Sequence, residues 1–276
     1  MQLKFTKMHA LGNDFVLLDF YEKSIEITSS QIRKLASRNT GVGCDQVLLI
    51  EQSQEPSADF RYRIFNADGN EVEQCGNGAR CFAKYVFDHK SINKKNMVLE
   101  TNSGLMHVEL NDDDSIGVNM GLPRFEPDLI PFVAEEERDS YSVDILGTPT
   151  ELAVLSMGNP HAVIIVDNVN TAPVEEFGNA LQKHPLFPNK VNLSFMQLLS
   201  YSQIQLRVYE RGAGETYACG SGACAAVVVG NAQGKLENEV TVTQKGGDLM
   251  VIWEGGDNPV FLKGSATYIY EGEIQI

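Results

Sequence analysis

Two cysteines in this chain occupy the same local sequence, Cys75-Gly-Asn-Gly and Cys219-Gly-Ser-Gly. Residues with helical spacing follow each motif, so each cysteine is predicted to stand at the N-terminus of a helix. The unpaired backbone N–H groups and the helix dipole at such a place lower the pKa of a thiol, so that thiolate forms at neutral pH. The same N–H groups bind anions, and glycine lets a ligand come close to the backbone. Each motif therefore predicts a reactive thiol beside a carboxylate-binding turn.

The two motifs belong to an internal repeat. Residues 63–79 align without a gap on residues 207–223, and the two cysteines are 219 − 75 = 144 positions apart. Leu105-Met106 matches Leu249-Met250 at the same offset, and Gly12-Asn13 resembles Gly158-Asn159 at a slightly larger one. Three matches in the same order and at nearly one spacing indicate two copies of one fold.

Two thiols that face one ligand have the groups needed to invert a stereocentre. One sulfur removes a proton from one face of a carbon, and the other delivers a proton to the opposite face. If each sulfur lies about 3–3.5 Å from the reacting carbon, the two sulfurs are about 6–7 Å apart. Preorganised backbone donors stabilise the carbanion-like transition state. His161 and Glu210 are the candidates for adjusting which sulfur carries the proton.

The elements that position these residues are predicted twice. The pattern predicts helices that open near Ser29-Ser30, near Pro173 and after each cysteine. The helix after Cys219 is apolar on every side and should be surrounded by protein, although its Val triplet also suits a strand. The following segments are predicted as strands: 14–19, 46–50, 60–65, 97–101, 104–110, 115–120, 162–167, 191–196, 204–209, 239–243, 248–254 and 259–264. We therefore predict an α+β fold of two pseudo-symmetric domains, each a mixed, mainly antiparallel sheet wrapped around a central helix.

The domain limits follow from the same repeat. Residues 265–276 have no counterpart after residue 120, so we expect them to cross back and complete the first sheet. The first lobe, with Cys75, is predicted to comprise residues 1–120 and 265–276. The second, with Cys219, comprises residues 121–264.

Composition excludes several classes of function. The 276 residues carry a formal net charge of −15, which argues against nucleic acid or an anionic membrane as a partner. The sequence has no secretion signal pattern and no apolar run of transmembrane length. Five cysteines in a chain of this size suit a reducing compartment, so we expect a cytoplasmic protein.

At the two cysteine motifs the sequence resembles the diaminopimelate epimerase family. Cys75-Gly-Asn-Gly-Ala-Arg80 and the segment 210–222 are similar to its two signature segments, and the segment 7–15 and Gly158-Asn-Pro-His161 to its other hallmarks. The resemblance runs from residue 7 to the C-terminus. It implies conversion of LL-2,6-diaminopimelate to the meso isomer, in lysine and peptidoglycan-precursor synthesis, without pyridoxal phosphate, another cofactor or a metal.

The resemblance also implies roles for individual residues. Cys75 and Cys219 would be the acid/base pair, and His161 and Glu210 would modulate their pKa values. Tyr270 resembles a tyrosine at the homodimer contact of the family. Substrate-binding roles would fall on Asn13, Gln46, Asn66, Gly76, Asn77, Asn159, Asn192, Glu210, Arg211, Gly220 and Ser221. Arg211 suits the distal carboxylate of the substrate.

Two other functions compete with this interpretation. A proline or hydroxyproline racemase would share the duplicated fold, but Asn77 stands where those enzymes typically place His, and a substrate with one carboxylate hardly needs Arg211. A non-catalytic amino-acid-binding or thiol redox protein would use the two half-sites without proton transfer. Exchange of the substrate α-hydrogen separates these possibilities.

Of the remaining cysteines, Cys81 and Cys224 are predicted to be structural, and the role of Cys44 is left open. Cys81 and Cys224 lie on helix faces among apolar residues, and Cys44 follows a turn that supports Gln46. The spacings from Cys75 to Cys81 and from Cys219 to Cys224 fit a zinc knuckle poorly.

Overall fold

The computed structural model describes residues 1–72, 75–90 and 94–276. Glu73 and Gln74 of the repeated segment lie outside these described residues. The chain forms two compact units: Met1–Asn119 with Lys263–Ile276, and Met120–Leu262. No helix in the described part of the chain is long and apolar enough to cross a membrane.

Before the chain enters the second unit, the described residues of the first unit form eight strands and two helices. Thr28, rather than the two serines after it, caps α1 through a capping box with Gln31. The elements are β1 (Gln2–Ala10), β2 (Asn13–Asp19), α1 (Ser29–Ala36), β3 (Gln46–Glu51), β4 (Phe60–Asn66), β5 (Glu71–Val72), α2 (Gly76–His89), β6 (Asn96–Thr101), β7 (Gly104–Leu110) and β8 (Ile116–Asn119).

The second unit repeats this order after one additional strand. Short 3-10 turns at Pro127–Leu129 and Val169–Thr171 precede β9 and α3. The elements are β9 (Tyr141–Ile145), β10 (Thr148–Ser156), β11 (Pro160–Ile165), α3 (Val174–Leu181), β12 (Asn192–Ser200), β13 (Gln203–Glu210), β14 (Gly214–Glu215), α4 (Gly220–Ala232), β15 (Glu239–Gln244), β16 (Gly247–Ile252) and β17 (Phe261–Gly264), whose last two residues already belong to the first unit.

Strand pairing has the same pattern in both units. In the first unit β1–β2, β3–β4 and β6–β7 are antiparallel, while β2–β3 and β4–β6 are parallel. In the second unit β10–β11, β12–β13 and β15–β16 are antiparallel, while β11–β12 and β13–β15 are parallel. The predicted α+β fold with two copies of one mixed sheet is confirmed.

The C-terminal segment returns to the first unit. It forms β18 (Thr267–Gln275), which pairs antiparallel with β1 from Gln2 opposite Gln275 to His9 opposite Thr267. This is the return that the sequence predicts for residues 265–276.

The helix that follows each cysteine is the centre of its unit. Ala79, Cys81, Phe82 and Ala83 of α2 have no exposed surface. In α4 the residues from Ala223 to Gly230 are buried on every side of the helix. Complete burial of its apolar side chains stabilises α4 as a helix although the Val triplet has low helix propensity. The central helices are confirmed.

An ion pair is repeated with the fold. Arg63 on β4 binds Glu71 on β5, with Nε 2.7 Å from Oε1, and Arg207 on β13 binds Glu215 on β14 at 2.6 Å. Both pairs lie at the offset that relates the two cysteines. Each pair joins a long strand to the short strand before the cysteine turn.

One of the three sequence matches is wrong in register. Thr101 opposite Gly104 closes the β6–β7 turn, and Gln244 opposite Gly247 closes the β15–β16 turn. The hairpins therefore correspond at an offset one residue shorter than the cysteines do. At that offset Met106 corresponds to Leu249, and both are buried, whereas Leu105 is exposed. The match of Leu105-Met106 to Leu249-Met250 is therefore accidental, because these pairs do not occupy equivalent positions in the two hairpins.

Candidate active site

In the first unit three predicted amide side chains lie at one edge of the sheet. Asn13 begins β2, Gln46 begins the parallel neighbour β3, and Asn66 ends β4 opposite Gln46. Gln46 Nε2 donates to Asn66 Oδ1 at 2.9 Å. Parallel and antiparallel pairing together thus place amides that are far apart in sequence side by side.

Cys75 stands at this edge as the N-cap of α2. Its backbone is extended (φ −149°, ψ 119°), and its carbonyl accepts hydrogen bonds from Ala79 N at 2.8 Å and from Tyr62 Oη at 3.2 Å. Its Sγ lies 4.0 Å from Asn13 Oδ1, to which Asn77 Nδ2 donates at 3.2 Å. The structure therefore brings together Cys75, Asn77 and Asn13.

The buried Arg80 fixes the orientation of Asn77. Its guanidinium donates to Asn77 Oδ1 at 2.9 Å, to Gly76 O at 3.4 Å and to Ser265 O at 3.3 Å. With Oδ1 taken up by Arg80, the Asn77 amide turns its NH₂ toward Asn13. In the sequence Arg80 is part of the first cysteine motif, but no spacing or pattern indicates this role.

A charged network that the sequence analysis missed holds Asn13. Asn13 Nδ2 donates to Asp45 Oδ2 at 2.9 Å, and Arg38 binds both Asp45 and Asp14 at 2.8 Å. The ammonium of the buried Lys7 lies 2.6 Å from Asp14 Oδ2. Burial by itself would raise the pKa of Asp14, but hydrogen bonds from Arg38 and Lys7 outweigh it and hold that pKa well below its usual value. The network leaves Oδ1 of Asn13 directed at Cys75 and Asn77.

The second unit repeats the arrangement of strands with different side chains. His161 near the start of β11 is opposite Asn192 at the start of the parallel strand β12. Asn192 Nδ2 donates to Pro160 O at 3.1 Å, and its Oδ1 accepts the Arg211 N–H at 2.8 Å. Asn192 thus joins the start of β11 to the turn after β13.

Cys219 is the N-cap of α4 and is almost completely buried. Its Sγ accepts the Gly222 N–H at 3.4 Å and lies 3.6 Å from Ser221 Oγ. A Cβ added at Gly222 would stand 3.3 Å from the sulfur, so this helix turn approaches the thiol closely because it lacks a side chain.

Burial dominates the ionisation of Cys219. Desolvation raises its pKa well above the usual value for a thiol, and the nearby Glu210 carboxylate raises it further. The hydrogen bonds from Ser221 and the Gly222 N–H lower the pKa by less. The expectation that the helix N-terminus makes this thiol acidic is therefore wrong for Cys219, because the cost of placing a charge in the core exceeds the stabilisation by the helix end.

His161 reaches Cys219 through two intervening side chains. Its Nε2 lies 2.9 Å from Asn159 Oδ1, Asn159 Nδ2 donates to Ser221 Oγ at 3.4 Å, and Ser221 lies beside the thiol. Burial, followed by the charge of Arg211, lowers the pKa of His161 to about 3, so the imidazole is neutral. Since Asn159 Oδ1 can only accept, Nε2 carries the proton.

Glu210 and Arg211 lie at the end of β13. Glu210 Oε1 accepts a hydrogen bond from Thr216 Oγ1 at 2.6 Å. Arg211 is exposed, and its Nη1 donates to Asn189 O at 3.3 Å. Tyr270 lies on β18 with about half its surface exposed, and its ring packs against Phe5.

The other cysteines are in the core. Cys81 and Cys224 are fully buried, as predicted, and Cys44 is buried beside the start of β3. Burial raises the pKa of Cys44 to about 12. Within residues 1–72, 75–90 and 94–276, no three His, Cys, Asp or Glu side chains are grouped as metal ligands.

Comparison with known proteins identifies the family. The family model described as diaminopimelate epimerase matches residues 5–126 and 153–269. The chain is 52% identical to the diaminopimelate epimerase of Nitrosospira multiformis over 276 residues, covering 100% of this chain and 99% of that one. It is 51% identical to that of Thioalkalivibrio sulfidiphilus, covering 100% of both.

Solved structures share the fold at low sequence identity. A PhzF-family phenazine biosynthesis protein from Bacillus anthracis superimposes with a TM-score of 0.71 at 17% identity, covering 100% of both chains. A hydroxyproline epimerase from Agrobacterium vitis superimposes with a TM-score of 0.70 at 14% identity, covering 99% of this chain and 92% of that one. These two show the architecture alone. The full-length matches at about half identity show that the chain belongs to the diaminopimelate epimerase family, a family of isomerases.

Proposed function

We propose that the protein is an epimerase that interconverts LL-2,6-diaminopimelate and meso-diaminopimelate in lysine and peptidoglycan-precursor synthesis. The observation that carries the proposal is the identity of 52% to a diaminopimelate epimerase over the whole chain. The local geometry supports it, since each unit presents a cysteine as the N-cap of its central helix, with amide side chains beside it.

The reaction is a proton transfer across one carbon. A thiolate Sγ takes the α-proton, and the C–H electron pair moves toward the α-carboxylate. The opposite thiol then gives its proton to the other face of the carbon and becomes the thiolate. No atom is gained or lost, so Cys75 and Cys219 suffice as acid and base without a cofactor or a metal. For both to reach one carbon, the sulfurs must be about 6–7 Å apart in the complex.

Cys219 begins as the thiol in the ligand-free protein. Burial and the Glu210 carboxylate both raise its pKa, which favours the protonated form at neutral pH. Cys219 therefore donates its proton in the first turnover, and the substrate isomer that reacts is the one whose α-hydrogen is on the side of Cys75. Glu210 acts on the thiol by its charge, and His161 acts through Asn159 and Ser221.

Backbone N–H groups hold the reacting carboxylate. Gly76-Asn77 and Gly220-Ser221 are the first residues of α2 and α4, and N–H groups at a helix start have no acceptor within the helix. The exposed Arg211 binds the distal carboxylate, since its guanidinium suits bidentate recognition. Amides bind the rest of the substrate: Asn13, Gln46, Asn66, Asn159 and Asn192. A substrate without the distal group leaves several of these polar side chains unpaired and is rejected.

The protein acts in the cytoplasm as a homodimer through β18. The half-exposed ring of Tyr270 on that strand supports the contact. Sedimentation of the wild type beside Tyr270→Asp tests it, because a buried charge at the contact shifts the variant toward the monomer.

Exchange of the α-hydrogen tests substrate and reaction together. NMR in deuterated water should show loss of the α-hydrogen signal with LL-diaminopimelate and retention with proline. Cys75→Ala and Cys219→Ala should each abolish epimerisation while the protein stays folded. Exchange with proline alone, or turnover in both alanine variants, contradicts the proposal.

A further inference from the structure

Gln244 is a buried glutamine whose side chain binds one residue, Cys219, twice. Its Oε1 accepts the Cys219 N–H at 2.8 Å, and its Nε2 donates to the Cys219 carbonyl at 3.3 Å. The two residues are 25 positions apart, and Gln244 is the last residue of β15. The glutamine amide thus pairs with both peptide groups of a cysteine as a neighbouring strand would.

These two hydrogen bonds use backbone groups of Cys219 whose hydrogen-bonding capacity is not fully used within α4. Cys219 has an extended backbone (φ −124°, ψ 113°), and its carbonyl accepts the first helical bond, from Ala223 N at 3.0 Å. Its own N–H points away from the helix into the core, where an unpaired donor would be costly. Gln244 supplies the acceptor and fixes the two dihedral angles that set the direction of the Cα–Cβ bond, and hence the position of Sγ.

Thr101, the equivalent of Gln244 in the first unit, makes a different hydrogen bond. Thr101 closes the corresponding hairpin, and its Oγ1 donates to Gly104 O at 2.8 Å within its own turn. Tyr62 Oη donates to the Cys75 carbonyl. Because threonine stands at the equivalent hairpin position of the first unit, support by glutamine from this position belongs to the second copy.

We propose that Gln244 is a positioning residue for Cys219, which holds the sulfur in the orientation needed for proton transfer without itself touching the substrate. The inference rests on the proposed function of Cys219 as an acid/base group. It adds to that function a residue that neither the repeat nor the cysteine motifs indicate.

Gln244→Met tests the proposal, because methionine fills a similar volume and makes neither hydrogen bond. We expect kcat for epimerisation to fall by about 10- to 100-fold, since a misplacement of about 1 Å has an effect of this order. KM should stay within about twofold, because the substrate contacts remain. Alkylation of Cys219 by iodoacetamide, followed by peptide mass spectrometry, should become about tenfold faster, while that of Cys75 should not change.

Two further variants isolate the cause. Gln244→Glu keeps an acceptor for the Cys219 N–H and adds a negative charge near the thiol, so the basic limb of its kcat profile should move to higher pH. Gln182→Met is the matched control: Gln182 also makes two hydrogen bonds to backbone groups, Gly178 O and Val191 O, neither of which belongs to Cys219. It should lower stability and leave kcat unchanged.

Fluorescence of Trp253, the single tryptophan and a buried one, reports the folding of each variant.

The outcomes separate this inference from the proposed function. A kcat of Gln244→Met within about twofold of the wild type overturns the positioning role. So does an equal acceleration of alkylation at Cys75 and Cys219, which indicates general loosening. If the wild type does not exchange the α-hydrogen of diaminopimelate, the proposed function fails, while the ratio of the two alkylation rates still decides whether Gln244 holds Cys219. If Gln244→Met does not fold, the pH profile of Gln244→Glu decides, and an unmoved basic limb overturns the proposal.

Discussion

The buried His161 should make the stability of the second unit depend on pH below neutrality. Burial lowers its pKa from 6.5 to about 3 in the folded protein. As pH falls below 6.5, the unfolded chain binds a proton on this imidazole and the folded chain does not. Protons therefore favour unfolding, and the stability present above pH 6.5 is lost progressively toward pH 3.

The size of the effect follows from the two pKa values. A pH of 5 lies 1.5 units below the pKa of 6.5, so the imidazole of the unfolded chain is protonated there, whereas that of the folded chain is still neutral. Each pH unit in this range corresponds to about 1.4 kcal/mol, so His161 alone should lower the free energy of unfolding by about 2 kcal/mol between pH 7.5 and pH 5. Asp14 does not add to this change, because its pKa is lowered from 3.8 and its stabilisation is lost only in more acidic solution.

Urea denaturation of the wild type and His161→Gln measures the difference. Glutamine offers Asn159 an N–H donor but does not titrate, so the variant lacks this part of the pH dependence whatever its absolute stability. Trp253 lies in the same unit as His161 and reports its unfolding by fluorescence. We expect the wild type to lose about 2 kcal/mol more than the variant between pH 7.5 and pH 5. Equal losses in the two proteins would refute a neutral, buried His161.

Two glycine positions give further predictions. Gly222→Ala should slow epimerisation several-fold, because the added Cβ stands 3.3 Å from Cys219 Sγ. Its free energy of unfolding should change by less than about 1 kcal/mol, since higher helix propensity offsets the crowding; urea denaturation and kcat measure the two effects. Gly78→Ala should be strongly destabilising, because its Cβ would lie 2.5 Å from Tyr62 Oη, and Tyr62→Phe should restore part of the loss. A double-mutant cycle that gives additive effects would contradict this contact.

The repeat made most of the fold predictable. Comparison of the two cysteine segments placed both central helices, and it correctly favoured a helix for Val227-Val228-Val229 over their strand propensity. Strands β1, β5, β9, β10 and β14 were missed. In β1 the buried Lys7 breaks the apolar pattern, and its charge is accommodated because Asp14 on the neighbouring strand and the Gly43 carbonyl bind the ammonium. Such compensation depends on tertiary contacts and leaves no periodicity in the sequence.

The residues that support the candidate site were harder to predict than its centre. Cys75 and Cys219 are marked by a repeated motif, but Gln244 is a lone glutamine at a strand end before a turn, which is an ordinary place for a polar residue. Asp45 likewise reads as a loop residue, and only the structure shows that it binds the Asn13 amide at 2.9 Å. Side chains that act on another side chain or on the backbone have no characteristic spacing, because their partners come from distant parts of the chain.

The same limit applies to the two thiols themselves. Their motifs are alike, and each places a cysteine as the N-cap of a helix, so the direction of the first backbone N–H groups follows from sequence. The ionisation of Cys219 does not, because it depends on the depth of the sulfur in the core and on the Glu210 carboxylate at the end of another strand. Burial raises the pKa of this thiol although the Gly222 N–H lowers it. A repeated motif can therefore supply two groups of one chemical type, while burial and neighbouring charges, which the motif does not encode, set the ionisation of Cys219.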